Sequence, residues 1–516
     1  MYTAYSIADI RAAEAPLIAL AEQHHTDGLM RKAAQTVATL AATLNPHTHT
    51  PILLLVGAGG NGGDALYAGT ILLNHGYTHI HAYLSTPPTP TKPNAHPPAL
   101  TAFTNAGGEI ITELPHSEHY TLIIDGILGI GGTGNINPTI ATYTHTARTH
   151  ATILSIDIPS GIDPHTGITN THHIHAHHTI TFGAARPAHL INTHSGQLHI
   201  ADISTHNQHL STQLATYPTV GTHYTTTDTD FNPHQLGITG IIPTSTDHKY
   251  SSGVVGIIAG STQYPGAAML CVEAAIRATP AMVRYIGDCT HHVLARTPEA
   301  VAHPEIPDTT TPTHAWVAGP GGCTTTQLAT LIERDQPLLC DAEALRAIST
   351  EATLRNSIAQ RAHPTIFTPH TGEFAALTHA YGTPALDDAG LTAIRTLAEK
   401  SGATIILKGR KTLIAQPDPT QPFITIDPGH SWGATPGSGD VLAGVLGAWI
   451  AHHKARNLPI LNALQLGIHI TNLATSISTR TPAGTAPTSA TLINGAIREA
   501  TAMLLNCEEN NRLSLV

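Results

Sequence analysis

Asp427 to Leu446 read DPGHSWGATPGSGDVLAGVL, a glycine-rich segment that runs directly into an apolar helical pattern with Asp440 at the junction. Gly437 and Gly439 have no Cβ, so several backbone N–H groups can converge there on an anion. The free N–H groups at the start of the predicted helix add positive potential at the same point. A carboxylate beside bound phosphate can take a proton from a hydroxyl during phosphoryl transfer. The stretch therefore predicts a phosphate site with Asp440 as its base, and the alternative is an ordinary loop in which Asp440 only caps the helix.

The composition indicates a multidomain protein that binds neither nucleic acid nor membrane. A chain of 516 residues exceeds one ordinary core, so two or three domains are expected. The formal net charge of −11 argues against a nucleic-acid partner, which would need a clustered basic face. No apolar run reaches the roughly 18 residues of a membrane span, and the N-terminus predicts an amphipathic helix and not a signal peptide. Five cysteines without a CxxC pair favour a reducing cytoplasm, and a homo-oligomer is compatible with all of these features.

Strand-like apolar runs alternate with helical patterns along the chain, which predicts an α/β fold in both halves. The runs lack strict alternation of polar and apolar residues, as expected for strands buried on both faces of a sheet. They are Pro51–Val56, Thr121–Asp125, Ala151–Asp157, Val254–Ala259, Ala315–Ala318, Pro337–Cys340 and Ala403–Leu407. Between about Gln208 and Tyr250 the pattern lapses into sequence rich in Thr, His and Pro, which predicts a boundary. We therefore expect domains at 1–215 and 235–516, joined by a linker at 216–234.

The first glycine-rich loop of the N-terminal half, Gly57–Asp64 (GAGGNGGD), follows the first of these strands. Its Gly57, Gly59 and Gly62 satisfy the GxGxxG pattern of dinucleotide sites, although a single match of this kind is a weak signal. The acidic residue that should end the next strand is missing from His79–Ser85 (HIHAYLS). A plain hydride-transfer site is therefore disfavoured.

Two later strand ends add carboxylates and a second glycine-rich loop. Asp125 ends one predicted strand and leads into Gly129–Gly134 (GIGGTG), and Asp157 ends the next strand. Because the carboxyl ends of neighbouring parallel strands face one crevice, we expect Asn61, Asp64, Asp125 and Asp157 to lie together. Several carboxylates in one site raise each other's pKa unless a cation lies among them. Structural caps could explain any one of these residues, but hardly all of them at successive strand ends.

The N-terminal half resembles the NAD(P)H-hydrate epimerase family over about residues 1–215, through NGGD, the Asp125 strand with its glycine loop, and DIPSGID. The resemblance implies a Rossmann-like three-layer fold that interconverts the R and S epimers of hydrated NADH or NADPH. It also implies a potassium ion held by Asn61, Asp125 and Ser160, and Asp157 as the acid/base at the substrate. The hydrated nucleotide would be bound by Asp157 and by two loops, Gly60, Asn61, Gly62, Gly63 and Asp64 in the first and Gly129, Ile130, Gly131, Gly132, Thr133, Gly134 and Asn135 in the second.

Two features of this half depart from the family pattern. Ala65 replaces the glycine that usually follows NGGD, which predicts a minor backbone adjustment. The second loop, GIGGTGNINP, lacks the basic residue that many relatives have nearby. Phosphate affinity would then rest more on backbone N–H groups.

The C-terminal half carries a full series of motifs beside GSGD. They are Tyr264–Ala268 (YPGAA) at a predicted helix start, Gly319–Gly322 (GPGG) and Asp341 after strands, Thr368–Glu373 (TPHTGE) entering a helix, and Lys408–Thr412 (KGRKT) after a strand. The series is similar to the ADP-dependent NAD(P)H-hydrate dehydratases, whose fold is ribokinase-like, over about residues 235–505. GxGD alone indicates only the wider ribokinase-like set, whereas the combination is far more specific.

This second resemblance implies a phosphoryl-transfer chemistry. Phosphorylation of the hydroxyl on the hydrated ring makes it a good leaving group, and elimination restores the reduced cofactor. The substrate would be bound by Ala268, Gly321, His370 and Asp440, with Asp440 as the base. ADP would be bound by Lys408, Gly409, Arg410, Lys411 and Thr412, and by His430, Ser431, Trp432, Gly433, Ala434, Thr435, Pro436, Gly437, Ser438 and Gly439. The bacterial type of the family uses ADP and releases AMP with phosphate, and magnesium is expected because phosphoryl transfer generally needs it.

Together the halves resemble the bifunctional hydrate-repair enzymes, in which an epimerase feeds an S-specific dehydratase. One alternative is a vitamin-precursor kinase of the ribokinase-like set fused to a nucleotide-binding regulatory domain. A third hypothesis is a non-enzymatic metal buffer, since the chain has 37 histidines and the run His172–His178. No nearby Cys or acidic residue completes a ligand set there, so we interpret the run as a habit of composition.

Overall fold

The structure is a computed structural model, and it describes residues 1–87, 93–116, 119–225 and 231–507. The chain divides into two compact units, one of residues 2–222 with 389–391 and the other of the residues from 223 onward except 389–391. Both units combine a mainly parallel sheet with helices, so the predicted α/β class is confirmed. The segment predicted as a linker contains a strand at Gly221–Thr225, and residues 226–230 within it lie outside the described residues.

The first unit contains a seven-stranded sheet in the order β4-β3-β2-β5-β6-β7-β8, and every adjacent pair is parallel. The strands of the whole unit, of which β2 to β8 form this sheet, are β1 Tyr2–Ala4, β2 Ile52–Val56, β3 Ile80–Leu84, β4 Glu109–Ile111, β5 Leu122–Gly126, β6 Thr152–Ile156, β7 His178–Phe182, β8 Gln197–Ala201, β9 Ser204–Thr205 and β10 Gln208–His209. Its helices are α1 Ile7–Glu22, α2 Gly28–Leu44, α3 Gly60–Asn74, α4 Pro97–Asn105, α5 Pro138–Ala147, α6 Ala188–Ile191 and α7 Leu210–Leu214.

Alternate residues of strand β2 enter two different cores, which makes this unit three layers thick. Ile52, Leu54 and Val56 pack with residues of α1 to α4, whereas Leu53 and Leu55 pack with residues of α5. All five are fully buried, which explains the unbroken apolar run in the sequence. The order of the strands reverses between β2 and β5, and a crevice at such a switch point is where open α/β sheets bind ligands.

The second unit contains strands in the order β11-β20-β19-β18-β17-β16-β15-β12-β13-β14, parallel from β18 to β14 and antiparallel across β18, β19 and β20. The strands are β11 Gly221–Thr225, β12 Val254–Ile258, β13 Met282–Ile286, β14 Val301–His303, β15 Ala315–Ala318, β16 Leu338–Cys340, β17 Thr365–Phe367, β18 Thr404–Leu407, β19 Thr412–Ala415, β20 Phe423–Asp427, β21 Arg480–Thr481 and β22 Gly484–Thr485. The helices are α8 Pro265–Ala278, α9 Thr290–Arg296, α10 Thr325–Ile332, α11 Glu343–Thr350, α12 Ala352–Ala359, α13 Thr371–Tyr381, α14 Leu386–Ala389, α15 Leu391–Ser401, α16 Ser438–Ala455, α17 Ile460–Ser478 and α18 Ala490–Leu505.

Helix α16 is the apolar segment that follows GSGD in the sequence. It begins directly after Gly437, whose φ of +84° lies in the left-handed region that favours glycine. A Cβ at Gly437 would also lie 2.7 Å from a Leu270 methyl carbon. Every residue from 441 to 453 is buried, so the helix forms the centre of the core of this unit. The helix predicted from the apolar pattern after GSGD is confirmed.

Each predicted strand is present, with its ends within one residue of the expected ones. All five cysteines are free. Among the described residues, no helix is both long enough and apolar enough to span a membrane. In the histidine run, the rings of His173 and His175 both lie 4.6 Å from the ring of His194, measured between centroids. The described residues contain no group of three or more His, Cys, Asp or Glu side chains that could hold a metal ion.

Several histidines are buried in the core of the second unit. His469 is 1% exposed, and its ring stacks on Phe231 with 3.5 Å between the centroids. Burial lowers the pKa of His469 to about 3 and that of His452 to about 4, because the charged imidazolium would lose its hydration. These histidines are therefore neutral in the folded protein near neutral pH.

This burial predicts that the second unit loses stability in acid. Because the folded-state pKa values are depressed, the unfolded chain binds protons that the native state does not, and stability falls as the pH drops below about 6.5. For His469 alone the loss between pH 7.5 and pH 4.5 is roughly 2–3 kcal/mol. Urea unfolding at the two pH values measures it. The variant His469→Asn should lose less stability on acidification than the wild type does.

A matched control for that measurement is the exposed His379, which lies on α13. The variant His379→Asn should keep the full acid dependence of the wild type. An identical acid dependence in His469→Asn and His379→Asn would contradict the prediction.

Candidate active sites

Asp125 lies at the end of β5, fully buried, at the switch point of the first unit. Its Oδ2 accepts hydrogen bonds from the Ser155 hydroxyl (2.8 Å) and the Ser160 N–H (2.9 Å). Its Oδ1 accepts from the Ser160 hydroxyl (2.6 Å) and the Ile127 N–H (3.2 Å). Burial raises the pKa of Asp125, and these hydrogen bonds oppose the rise. Among the described residues no basic side chain forms an ion pair with Asp125, so a small cation beside these oxygen atoms would fit the charge of the site.

Asn61, at the start of α3, ties the first glycine-rich loop to the ends of the two neighbouring strands. Its Nδ2 donates to the carbonyl oxygens of Leu128 (3.0 Å) and Ile156 (2.7 Å). A Cβ at Gly129 would lie 2.3 Å from the Asn61 Oδ1, so the second glycine loop approaches this side chain closely. The expected convergence of the two loops with the ends of β5 and β6 is confirmed. It brings the three predicted potassium ligands, Asn61, Asp125 and Ser160, into one cluster.

A cavity of about 360 Å³ opens beside this cluster. Of the predicted substrate-binding residues, Gly60, Asn61, Asp64, Ile130 and Asp157 line it. The remaining residues of the two loops do not line this cavity: Gly62, Gly63, Gly129, Gly131, Gly132, Thr133, Gly134 and Asn135. Steric contact explains the glycine at position 62. A Cβ at Gly62 would lie 1.9 Å from the Gly57 carbonyl oxygen, and one at Gly63 would lie 2.5 Å from the Met30 sulfur.

Asp157 has a cationic partner that the sequence did not reveal. Arg186, fully buried after β7, donates from Nη2 to Asp157 Oδ1 at 2.6 Å. Its Nη1 donates to the carbonyl oxygens of Phe182 and Ala184. Asp157 itself has a φ of +67°, an uncommon conformation for a residue with a side chain and one that recurs at functional sites. The only sequence signal for Arg186 was a lone basic residue in an apolar segment directly after a strand.

Two further carboxyl groups line the same cavity, Asp64 from α3 and Glu14 from α1. Burial raises the pKa of Asp64 well above its ordinary value, and the nearby charges of Asp157 and Glu14 raise it further. Burial also raises the pKa of Glu14 to about 7, and the charge of Arg186 opposes that rise. Glu14 was missed in the sequence because it belongs to an amphipathic helix that ends well before the first glycine-rich loop, Gly57–Asp64.

The two departures from the family pattern have structural explanations. Ala65 is fully buried, and a Cβ at Gly126 would lie 2.8 Å from the Ala65 Cβ, so the methyl group packs against a strand residue that is itself glycine. The expectation that the second loop has no basic residue nearby is wrong. The Nη2 of Arg11 on α1 lies 3.4 Å from the carbonyl oxygen of Ile130, within that loop. The sequence could not show this, because Arg11 lies 119 residues before the loop.

In the second unit, a buried ion pair lies at the carboxyl ends of β16 and β18. The Lys408 Nζ lies 2.6 Å from Asp341 Oδ1 and 3.8 Å from Glu373 Oε2. Asp341, which is 2% exposed, also accepts a hydrogen bond from the Thr368 hydroxyl at 2.8 Å. The ammonium group predicted to contact ADP is thus held in place by carboxylates of two other motifs.

Asp440 is the third residue of α16 and lies next to this ion pair. A Cβ at Gly439 would lie 3.5 Å from the Lys408 Nζ, so the helix start passes directly over the ammonium group. Burial raises the pKa of Asp440 to about 6, the charge of Asp341 adds to the rise and that of Lys408 opposes it. Asp440 is therefore mostly ionised at neutral pH but is protonated in mild acid, which suits a general base.

A cavity of about 420 Å³ lies beside the start of α16. The predicted residues that line it are His370, Lys408, Gly409, Arg410, Thr412, His430, Ser431, Gly433, Ala434, Ser438 and Gly439. The predicted residues that do not line it are Ala268, Gly321, Lys411, Trp432, Thr435, Pro436, Gly437 and Asp440. Burial lowers the pKa of Lys411 to about 8, and Trp432 is 38% exposed.

Gly321 and Ala268 lie together elsewhere, at the β12/β15 switch point. Gly321 has a φ of +68°, and a Cβ there would lie 2.5 Å from the Ala267 methyl carbon. Ala268 is fully buried against Gly260, because a Cβ added at Gly260 would lie 2.6 Å from the Cβ of Ala268. His370 caps α13, because its Nδ1 accepts the N–H groups of Gly372 and Glu373 while its ring stays exposed.

One wall of the 420 Å³ cavity beside the start of α16 comes from α17, which the motifs did not indicate. Ile468, Thr471, Asn472 and Thr475 line it, and their spacing is that of one helix face. The same helix is apolar over most of its length, so its sequence does not indicate which face would meet a ligand. His430 joins the wall through a contact of 2.7 Å between its Nε2 and the Ser476 hydroxyl oxygen.

Each unit therefore has a cavity at the carboxyl edge of its sheet, with carboxylates lining it in the first unit and lying beside it in the second, which defines a two-site α/β enzyme. A family model described as NAD(P)H-hydrate dehydratase matches residues 255–494, and one described as YjeF-related protein N-terminus matches residues 26–188. The chain is 36% identical to the bifunctional NAD(P)H-hydrate repair enzyme Nnr of Corynebacterium glutamicum, over 97% of this chain and 99% of that protein. The chain belongs to the family of bifunctional NAD(P)H-hydrate repair enzymes, and the predicted family and pair of activities are confirmed.

Two further similarities concern single halves. The chain is 33% identical to the NAD(P)H-hydrate epimerase of Microbacterium testaceum, over 39% of this chain and 78% of that protein. It is also similar to a Bacillus subtilis ADP/ATP-dependent NAD(P)H-hydrate dehydratase co-crystallized with ATP and Mg²⁺, at 22% identity and a TM-score of 0.42, over 51% of this chain and 93% of that one.

Proposed function

We propose that the first unit interconverts the R and S epimers of hydrated NADH and NADPH, and that the second unit dehydrates the S epimer with ADP as phosphoryl donor. The observation that carries the proposal is the position of Asp440. It lies at the start of α16 beside the Lys408–Asp341 ion pair and a cavity lined by two predicted nucleotide-binding loops. A cytoplasmic setting, where both nucleotides are made and used, belongs to the same proposal.

In the second unit, the chemistry begins with the hydroxyl of the hydrated ring. Asp440 removes the hydroxyl proton, and the oxygen attacks the β-phosphorus of ADP, so that AMP leaves. The phosphorylated carbon then loses phosphate as a neighbouring carbon gives up its proton to the solvent, which restores the double bond of the reduced ring. Arg410 and the first residues of α16 line the cavity, so the guanidinium and the first-turn N–H groups would supply positive charge to the ADP phosphates. Magnesium, when bound with ADP, would neutralise part of the phosphate charge.

In the first unit, Asn61, Asp125 and Ser160 would hold potassium through hard oxygen atoms. The buried carboxylate of Asp125, which forms no ion pair with a basic side chain within the described part of the chain, supports this assignment. A monovalent ion there would supply fixed positive charge beside a substrate that carries phosphates. Asp157 would act on the substrate from the cavity wall, with the bond to Arg186 fixing the position of its carboxyl group.

The test uses the full chain with separated hydrate epimers, ADP, magnesium and potassium, and follows the absorbance of the regenerated dihydronicotinamide. We expect the S epimer to be consumed with one ADP converted to AMP per turnover. The R epimer should also be consumed, at a rate set by epimerisation. Without ADP, each epimer should convert to the R/S mixture with no absorbance change, because only the second unit needs the nucleotide.

Two results would contradict the proposal. One is consumption of the S epimer with no epimerisation in the ADP-free reaction, which would remove the assignment of the first unit. The other is phosphorylation of hydroxymethylated vitamin precursors by the same preparation with no turnover of either hydrate, which would favour a small-molecule kinase.

A further inference from the structure

Glu14 shares the cavity of the first unit with Asp64 and Asp157, yet it belongs to none of the sequence motifs. It comes from the middle of α1, whose residues Ile10, Ala13 and Leu17 are buried in the core. The backbone of α1 is therefore fixed by packing on the same side as Glu14. The carboxyl group of Glu14 is held at the cavity and not on a mobile surface.

The groups that face Glu14 come from four elements. Asp64 belongs to α3, Asp157 follows β6, Arg186 follows β7 and Arg11 lies on α1 itself. Asp157 accepts a hydrogen bond of 2.6 Å from the Arg186 guanidinium. Asp64 is 8% exposed, lines the cavity, and its Oδ1 has no hydrogen-bond partner within the described residues. An unpartnered and buried polar atom on a cavity wall indicates that a ligand completes its hydrogen bonding.

We propose that Glu14 is a second acid/base residue of epimerisation, which acts as the proton donor while Asp157 acts as the proton acceptor. The proposal rests on the proposed function of the first unit. Asp64 would hydrogen-bond the substrate through its free oxygen and keep it between the two groups.

The reaction explains why two such groups are needed. Water adds to an enamine so that the hydroxyl ends on the carbon next to nitrogen, because that carbon is the electrophile. Glu14 protonates this hydroxyl, the C–O bond breaks with its electron pair on oxygen, and water leaves while the nitrogen lone pair forms a C=N bond. A water molecule then adds to the opposite face of that carbon and gives its proton to Asp157. The configuration of that carbon is inverted, and one proton has moved from Glu14 to Asp157. No redox partner is required.

The pKa of about 7 for Glu14 supports this division of roles, since the group is still partly protonated at neutral pH. It also fixes the direction of the pH dependence. The acid form of Glu14 is lost as the pH rises, so kcat/KM for epimerisation should decline above about pH 7.

The experiment compares Glu14→Gln with the full-length wild type in the ADP-free epimerisation assay. We expect kcat to fall by about 10²-fold, the order for a positioned acid, with KM changed little and the decline above pH 7 absent. The matched control is Glu109→Gln, since the Glu109 side chain on β4 is 69% exposed and lies outside the cavity. It should keep wild-type rates and the wild-type pH profile.

Wild-type kcat in Glu14→Gln would overturn the proposal, and so would a wild-type profile that stays flat between pH 6 and 8.5. If Glu14→Gln does not fold, Glu14→Asp decides the matter. A folded Glu14→Asp should be slower by about tenfold or more, because its carboxyl group is withdrawn by one methylene, and equal rates would overturn the proposal. Absence of epimerisation in the wild type itself would instead contradict the proposed function of the first unit.

Discussion

The variant Asp440→Asn should dehydrate the S hydrate roughly 10²–10⁴-fold more slowly than the wild type, which is the usual yield of a positioned base. Asparagine keeps the size of the side chain and removes only its ability to accept the hydroxyl proton. Affinity for ADP should remain near the wild-type value, because the nucleotide loops and Lys408 are untouched. Epimerisation in the ADP-free assay should be unchanged.

The pH profile gives this prediction a second readout. Asp440 must be ionised to act, and its pKa is raised to about 6, so wild-type kcat/KM for dehydration should rise with pH through about 6 and then level off. That rise should be absent in Asp440→Asn. Asp335→Asn is a suitable control, because that carboxylate is 87% exposed on the surface of the same unit. A rate for Asp440→Asn within about threefold of the wild type would remove Asp440 from the chemical step.

The variant Asp125→Asn should lose epimerase activity by roughly 10²–10³-fold and should no longer respond to potassium. In the wild type, replacing potassium with tetramethylammonium at matched ionic strength should lower the rate, because the buried carboxylate would lose its counter-charge. Asparagine has the shape of the native side chain, and its one amide oxygen can accept either the Ser160 N–H or the Ser160 hydroxyl but not both, so the fold should survive with some loss of stability. Dehydration of the S epimer should stay at the wild-type rate.

Asp163→Asn serves as the matched control for that change. Asp163 lies three residues after Ser160 and also accepts backbone N–H groups, at 3.0 and 2.9 Å, but it makes no contact with Asp125. It should keep both the rate and the potassium response. Equal wild-type rates in the two salts would count against a cation at Asp125, whatever the behaviour of the variants.

The fold could be predicted from the sequence almost completely, and the reason is visible in strands such as β2 and β12. Both are buried on every residue, so both appear as unbroken apolar runs that end in glycine-rich loops. The convergence of Asn61, Asp125 and Asp157 could be predicted as well, since parallel neighbouring strands bring their carboxyl ends to one edge. The convergence of His370, Lys408 and Ser438 on one cavity followed from their motifs.

The residues that could not be predicted lie on helices or loops far along the chain from any motif. Arg186 is conspicuous only once its guanidinium is seen bonded to Asp157. Glu14 and the α17 face around Asn472 belong to amphipathic or apolar helices, and nothing in such a pattern tells which polar residue meets a cavity and which meets solvent. Conversely, Gly62 and Gly63 were assigned to the substrate from their motif, whereas close contact with the Gly57 backbone already requires glycine at position 62.

The continuous burial of α16 has a consequence for how this enzyme can change through evolution. The helix that carries Asp440 near its start is also the central element of the core of the second unit. A substitution at Trp449 or Val445 that altered the core volume would displace the helix along its axis, and the proton acceptor would move with it. Substitutions in the core of the second unit are therefore expected to change the rate of dehydration as well as stability. The loops around the nucleotide are free of that link, so new substrate preferences would be expected to arise in them first.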